Sequence, residues 1–282
     1  MRPAIRIHRL SCAYHRTPVL ADLTFEVAVG ECFIVIGPNG SGKTTLIKSL
    51  AGLMPASGGD IFLREHPLRR HKKSHLARRI AYVAQAGADD SPFTVQEMVL
   101  MGRAPYLGML GVEGPADLEI ARKAIRFTGL DHLADRRMGS LSGGERQRAH
   151  IARAICQQPE IILLDEPTAA LDLTHQIRIM DLMTSLKNEH GTTVIMVSHD
   201  INLAAMYADR LLLLVDGGMA ACGPPADVID EQTLSTAYGC RLLVDRSPAG
   251  PWLRVNLVSD NRGRKSEVGR RKAEPKTVNS EQ

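Results

Sequence analysis

The densest chemistry in this 282-residue chain lies in nine consecutive residues, Gly37-Pro38-Asn39-Gly40-Ser41-Gly42-Lys43-Thr44-Thr45. They fit the pattern GxxxxGK[ST] and sit after an apolar run and before a helical one. The glycines let main-chain N–H groups wrap the β- and γ-phosphates of a nucleotide with no Cβ in the way. The start of the following helix adds partial positive charge, and Lys43 adds a full one. Thr44 offers a hydroxyl oxygen to Mg2+. From average composition, a chance match is expected in about one chain in a hundred of this length. The strand-before, helix-after context makes chance rarer still. The stretch reads as a nucleotide phosphate site.

Two more constellations belong with it. Residues 161–166, IILLDE, form an apolar run ending in two acids, Asp165 and Glu166. At the carboxyl edge of a parallel sheet such acids face phosphate and metal. Asp165 is then expected to hold Mg2+, and Glu166 to polarise the attacking water as general base. A strand ending in two carboxylates is more often plain surface punctuation, and only the glycine loop lifts this pair above that. The octet LSGGERQR (residues 141–148) contains Ser142 and Glu145 at capping-box spacing, which starts a helix running to about residue 158. Gly143 and Gly144 leave its first N–H groups bare, so a second anion-facing helix start is expected.

These motifs need a scaffold, and the apolar pattern supplies one. Short strand-like runs alternate with helical stretches: 31–36 (ECFIVI), a helix over about 43–53, then 161–165, 193–197 (TVIMV) and 210–215, the last before the turn Asp216-Gly217-Gly218. That alternation is an α/β pattern. Between about 86 and 159 helical signals dominate, with a capping box at Thr94 to Glu97 and Pro115 in the first turn of a helix ending near Gly129. This region reads as a helical insertion between strands. Residues 259–282 carry seven Lys and Arg and only Val268, Ala273 and Val278 as apolar side chains, so a disordered basic tail is expected there.

Composition is that of an ordinary globular chain: 44% hydrophobic, 23% charged, net charge +4. That charge is too mild to imply nucleic acid. Five scattered cysteines show no CxxC spacing and read as small buried apolar residues. The N-terminal MRPAIRIHRL lacks the pattern of a secretory leader, and no apolar run approaches the ~20 residues that cross a bilayer. Any service to a membrane is therefore expected to run through a partner. The basic run Arg69-Arg70-His71-Lys72-Lys73 reads first as a solvated face.

LSGGERQR resembles the signature sequence of ABC ATPases, and the order of motifs along residues 5–258 is similar to that family's. The resemblance implies an α/β P-loop NTPase of the ABC ATPase type, with a helical subdomain and an N-terminal antiparallel β subdomain, over residues 1–258. It implies that Tyr14 stacks on adenine, that Gln85 at the end of IAYVAQ reaches Mg2+ while its loop contacts a membrane subunit, and that His199 touches the γ-phosphate. Lys43 and Glu166 are implied in catalysis with His199, and Thr44, Gln85 and Asp165 in holding Mg2+. It further implies a homodimer across two ATP molecules. Ser142, Gly143, Gly144 and Glu145 of one copy then close over the ATP of the other, with Asp172 at the dimer seam.

The stretches MGRAPYLG (101–108), DLTHQ (172–176) and HDINLAA (199–205) resemble ATPases of importers for ferric siderophores, haem and vitamin B12. Read locally, MGRAPYLG is a Gly- and Pro-punctuated loop between helices. The sub-family resemblance implies two membrane-spanning permease subunits, indirect work with a substrate-binding protein, and a peripheral place on the cytoplasmic face of the membrane. Nucleic acid is not an expected partner. Two other readings stay open: an exporter ATPase or importer of another substrate, and an ABC ATPase acting on DNA or ribosomes. DNA-maintenance members split the glycine loop from the signature by long coiled coils, and the interval from Thr45 to Leu141 is far too short for that. Ribosome-acting members usually carry two cassettes, and one is present here.

Overall fold

The computed structural model describes residues 3–15, 17–85, 91–108 and 111–259. The chain begins with two long antiparallel strands, β1 (Pro3–Tyr14) and β2 (Thr17–Ala28), followed by β3 (Cys32–Ile36) and α1 (Lys43–Leu50). Next come β4 (Gly58–Leu63), β5 (His66–Pro67), α2 (Lys73–Arg79) and β6 (Ile80–Val83). The helices α3 (Val95–Leu100), α4 (Pro115–Phe127) and α5 (Gly143–Cys156) precede β7 (Ile161–Asp165) and α6 (Leu173–His190). Then follow β8 (Thr193–Val197), α7 (Ile201–Tyr207), β9 (Arg210–Val215), β10 (Gly218–Gly223), α8 (Pro225–Val228) and α9 (Glu231–Tyr238). A hairpin of β11 (Leu242–Arg246) and β12 (Leu253–Leu257) follows.

Five strands, in the order β9-β3-β8-β7-β6, are parallel, and β10 pairs antiparallel with β9 at one edge. Both faces of this sheet are covered, which is why its strands are apolar without interruption. Along β3, Phe33 and Val35 enter one core with α1 and the N-terminal strands, while Cys32, Ile34 and Ile36 enter the other with α5, α6 and α7. Phe33 also stacks on Phe25 of β2, with ring centroids 5.4 Å apart, and so ties the parallel sheet to the antiparallel sheet β2-β1-β4-β5. A third core, built from Val95, Met98, Ala121, Ile125, Leu130, Met138 and Ala152, joins α3, α4 and α5.

Some boundaries differ from those read in the sequence. Helix α1 stops at Leu50 rather than near 53, because Gly52 turns left-handed (φ 70°) and the amides of Leu53 and Met54 fold back onto the carbonyl of Lys48. β6 ends at Val83, so Gln85 lies two residues past the strand. Residues 101–106 are a 3-10 turn continuing directly from α3, not an open loop. The reason is Arg103, which is 5% exposed. Its guanidinium donates to Asp117 Oδ1 (2.9 Å), the Cys156 carbonyl (3.0 Å) and Gln158 Oε1 (3.0 Å), and lies 4.0 Å over the Tyr106 ring. A buried charge satisfied on all sides fixes the backbone that carries it. Of the cysteines, Cys12, Cys32 and Cys156 are buried, but Cys222 is half-buried and Cys240 exposed. Residues 260–282, nearly all of the basic tail, lie outside the described residues.

Breaking this anchor leaves Asp117 and two acceptors without their donor. Arg103→Met is expected to lower stability by roughly 3 kcal/mol, read as a lower urea midpoint with an unchanged slope. An unchanged midpoint would mean that the 101–106 turn is held by something else.

Candidate active site

In a parallel sheet all carboxyl ends point the same way, so neighbouring strands deliver their next residues to one edge. β3 delivers the loop 37–42 and the start of α1, β8 delivers His199, β7 delivers Asp165 and Glu166, and β6 delivers Gln85. These four strands are adjacent in the order β3-β8-β7-β6, so residues far apart in sequence meet there. A cavity of about 250 Å3 at this edge is lined by Val19, Asn39, Gly40, Gly42, Lys43, Thr44, Thr45, Glu166 and His199. A larger groove of about 520 Å3 between α4, α5 and α6 is lined mainly by apolar residues around Phe127 and Leu186, far from this convergence.

The loop leaves β3 at Gly37 (φ 147°), where a Cβ would stand 2.0 Å from the Leu214 carbonyl oxygen. Only glycine lets the chain pass that close to β9. Lys43, 5% exposed, donates from Nζ to the carbonyls of Gly37 (2.8 Å) and Pro38 (2.9 Å). Burial pulls its pKa below the usual lysine value, and the charges of Glu166 and Asp165 push back. Ser41 Oγ is buried and has no hydrogen-bond partner among the described residues, leaving a free hydroxyl inside the loop. The N–H groups of the first turn of α1 have no intrahelical acceptor. An anion with several oxygens fits this set of donors.

Thr44 Oγ1 donates to Asp165 Oδ1 at 3.1 Å, and Tyr82 Oη donates to Asp165 Oδ2 at 3.3 Å. Burial holds the Asp165 carboxyl above the ordinary carboxylate range, against the lowering effect of those two hydrogen bonds. The Thr44 and Asp165 oxygens are spaced as neighbouring ligands of a small octahedral cation, about 3 Å apart. Oxygen donors alone, next to a phosphate cradle, suit Mg2+ rather than a softer metal.

Glu166 has a left-handed backbone (φ 51°), unusual for a side chain other than glycine. The charges of both consecutive carboxylates act on Lys43. Gln85 Nε2 donates to Glu166 Oε2 at 2.8 Å, and His199 Nε2 pairs with Glu166 Oε1. Each oxygen of this carboxylate therefore has its own partner, from two different strands.

Other sequence-derived candidates lie elsewhere. Tyr14 ends β1 and is 49% exposed. Ser142 caps α5, accepting from the Glu145 amide (3.3 Å) while Glu145 Oε2 accepts from the Ser142 amide (2.8 Å). Asp172 caps α6. Neither Asp172 nor the start of α5 lines the 250 Å3 cavity of its own chain. Sequence reasoning passed over Tyr82 and Val19. The phenolic tip in the otherwise apolar run IAYV was the available signal for Tyr82, and nothing local marked Val19.

The ABC transporter family profile matches residues 20–169, more than half of the chain. This chain belongs to that family. The cassette is 38% identical over 254 residues to the ferric enterobactin transport ATP-binding protein of Escherichia coli (strain K12), across 90% of this chain and 94% of the relative. It is 41% identical over 222 residues to the hemin import ATP-binding protein of Rhodococcus jostii (strain RHA1), across 79% and 75%. Among solved structures, an inward-facing ABC transporter assigned to the metal-chelate type matches with a TM-score of 0.82 at 27% identity, covering 93% of this chain and all of that one. A dimeric ATP-binding cassette in a post-hydrolysis state bound to ADP and Pi matches at 0.69 and 28% identity, covering 78% and 98%. The fold is therefore that of an ABC ATPase, and no described helix of this cassette is long and apolar enough to cross a membrane.

A carboxyl held above its unfolded pKa binds a proton more readily in the native state than in the unfolded chain. Between those two pKa values stability falls as pH rises, and the penalty persists above them. Asp165→Asn removes that penalty while keeping an acceptor for Thr44. The variant is expected to unfold at a higher temperature than the native chain at about pH 7.5, the difference shrinking toward about pH 4, with no further rise on adding MgATP. A lower unfolding temperature at the higher pH would show that burial does not dominate at this carboxylate.

Proposed function

We propose that this chain is the ATP-hydrolysing subunit of an ABC importer for a metal chelate, of the ferric siderophore, haem or cobalamin class, acting through two separate membrane-spanning subunits. It works as a homodimer, peripheral on the cytoplasmic face, with a substrate-binding protein as an indirect partner. The observation that carries the enzymatic part is the Glu166 carboxylate, fixed by Gln85 and His199 at the mouth of the loop that holds Lys43. The importer part is supported by relatives named as a ferric enterobactin transport ATP-binding protein, matched over 94% of its length, and a hemin import ATP-binding protein, matched over 75%.

ATP lays its phosphates in the loop Gly37-Pro38-Asn39-Gly40-Ser41-Gly42, where main-chain N–H groups, the free Ser41 hydroxyl and Thr45 at the helix start receive them. Lys43 then exchanges its two carbonyl contacts for phosphate oxygens and supplies a charge that strengthens as negative charge builds in the transition state. Thr44, Asp165 and Gln85 would hold Mg2+, which when bound neutralises phosphate charge. Glu166 takes a proton from the attacking water, which His199 orients toward the γ-phosphate for in-line displacement, giving ADP and phosphate. Tyr14 stacks on adenine. Gly143 and Gly144 of the partner copy, between Ser142 and Glu145, complete the cradle, with Asp172 beside them at the seam. The cargo does not touch this subunit, so selectivity among chelates resides in its partners.

Replacing the base while keeping its shape separates binding from hydrolysis. Glu166→Gln is expected to lower ATP turnover by roughly 10³-fold and to elute as a dimer in gel filtration with MgATP but not with MgADP. In cells, the variant is expected to abolish uptake of one among labelled ferric siderophore, haem and cobalamin. Normal uptake of all three would remove the importer reading, and a monomer with MgATP would remove the dimer.

A further inference from the structure

The start of α5 packs against the start of α6 through the side chain of His175. His175 stands in the first turn of α6, and Asp172 Oδ1 accepts both its amide N–H (2.9 Å) and its ring Nδ1–H (2.8 Å). The opposite edge of the imidazole lies flat on Gly144. A Cβ at that glycine would stand 2.1 Å from His175 Cδ2 and 2.8 Å from Nε2. Ring and glycine are therefore in direct contact, and no larger residue fits at 144 while the imidazole keeps this position. Beside it, a Cβ at Gly143 would meet Leu171 at an ordinary 3.6 Å. Phosphate approach is thus one reason for the two glycines, and packing within the same chain is another.

What lies behind His175 is equally constrained. From Glu166 to Asp172 the chain makes two left-handed turns at residues other than glycine, Glu166 (φ 51°) and Ala170 (φ 58°). The next residue of α6, Gln176, donates to the Leu171 carbonyl at 3.1 Å and to that of Thr168 at 3.4 Å. A displacement of the α5 start against the imidazole therefore passes into the first turn of α6, and through these bonds into the segment that aims Glu166. Packed contacts of this kind shift between discrete arrangements instead of deforming smoothly.

We propose that His175 is a positioning residue that links the α5 start, which faces the partner's ATP, to the Glu166 segment, which acts on the chain's own ATP. The inference rests on the dimeric reading given above. It assigns to His175 the coupling between the two sites: nucleotide seated against Gly143 and Gly144 biases the aim of Glu166, nine residues upstream of the ring.

The test uses the full chain with its membrane subunits and measures ATPase rate against ATP concentration. His175→Asn keeps an N–H where Nδ1 stands, hence the side-chain bond to Asp172, but removes the edge that rests on Gly144. It is expected to unfold at the native temperature, yet to lose about tenfold in kcat with little change in KM, as for a misplaced catalytic group. Its Hill coefficient is expected to fall from roughly two toward one. Native kcat and Hill coefficient in this variant would overturn the inference. Gly144→Ala tests the contact by itself: it should lower the unfolding temperature when His175 is present and much less beside His175→Ala. Equal losses in both backgrounds would also overturn it. Gel filtration of Glu166→Gln, alone and with His175→Asn, separates the two readings. Dimers in both with MgATP leave the dimer standing whatever the kinetics say, and monomers in both remove the dimeric reading and this inference together.

Discussion

Lys43 is almost wholly buried, and its ammonium rests on the carbonyls of Gly37 and Pro38 with two carboxylates close enough to act on it. An ammonium placed there without partners would cost several times the value of a surface ion pair. Everything around it answers that cost. The loop leaves β3 through a gap only glycine can pass, so that its carbonyls turn inward. Asp165 ends β7 inside the same region, itself disfavoured by burial and supported by Thr44 and Tyr82. The charges of Glu166 and Asp165 offset part of the burial cost at Lys43, and burial still disfavours the charge on Lys43 and on Asp165. Nucleotide phosphate and a divalent cation are the groups proposed above to relieve both.

That arrangement requires four strands in one order and one direction. Parallel pairing places the ends of β3, β8, β7 and β6 side by side, and the layers on both faces of the sheet hold the pairing in register. The antiparallel sheet adds area to one of those layers through the Phe25–Phe33 stack. The helices α3, α4 and α5 form their own core, and Arg103 ties the turn after α3 to α4 and to the end of α5. Ser142 and Gly143 at the start of α5 are exposed, while Gly144 is buried beneath His175, and none of them lines the cavity of its own chain. In the dimer proposed above, a site split in this way over two faces is complete only when two copies meet.

Local chemistry explains why so much of this was legible. Glycine spacing, the lysine and threonine after it, the strand that ends in two acids and the Ser142–Glu145 cap all lie within short windows. Backbone sterics, capping and period-two burial act over those same windows. The α/β class followed from short apolar runs alternating with helical stretches. The 3-10 turn at residues 101–106 escaped because Arg103 finds its partners at Asp117, Cys156 and Gln158, 14 to 55 residues away. Tyr82 escaped for a similar reason, since its partner Asp165 is 83 residues downstream.

By itself, then, the sequence determined where phosphate-binding and acidic groups stand in the chain, which segments become strands and helices, and the family the motif order resembles. These depend on steric and hydrogen-bonding rules that operate within a few residues. The tertiary structure alone decided that Gln85 and His199 hold the two oxygens of Glu166, that Lys43 and Asp165 share one buried edge, and that the His175 ring occupies the space a side chain at Gly144 would need. Those contacts depend on strand order, on the left-handed turn at Glu166 and on how α5 meets α6. Such features arise from packing between distant segments, where one ångström settles whether two groups touch, and no window of neighbouring residues encodes that distance.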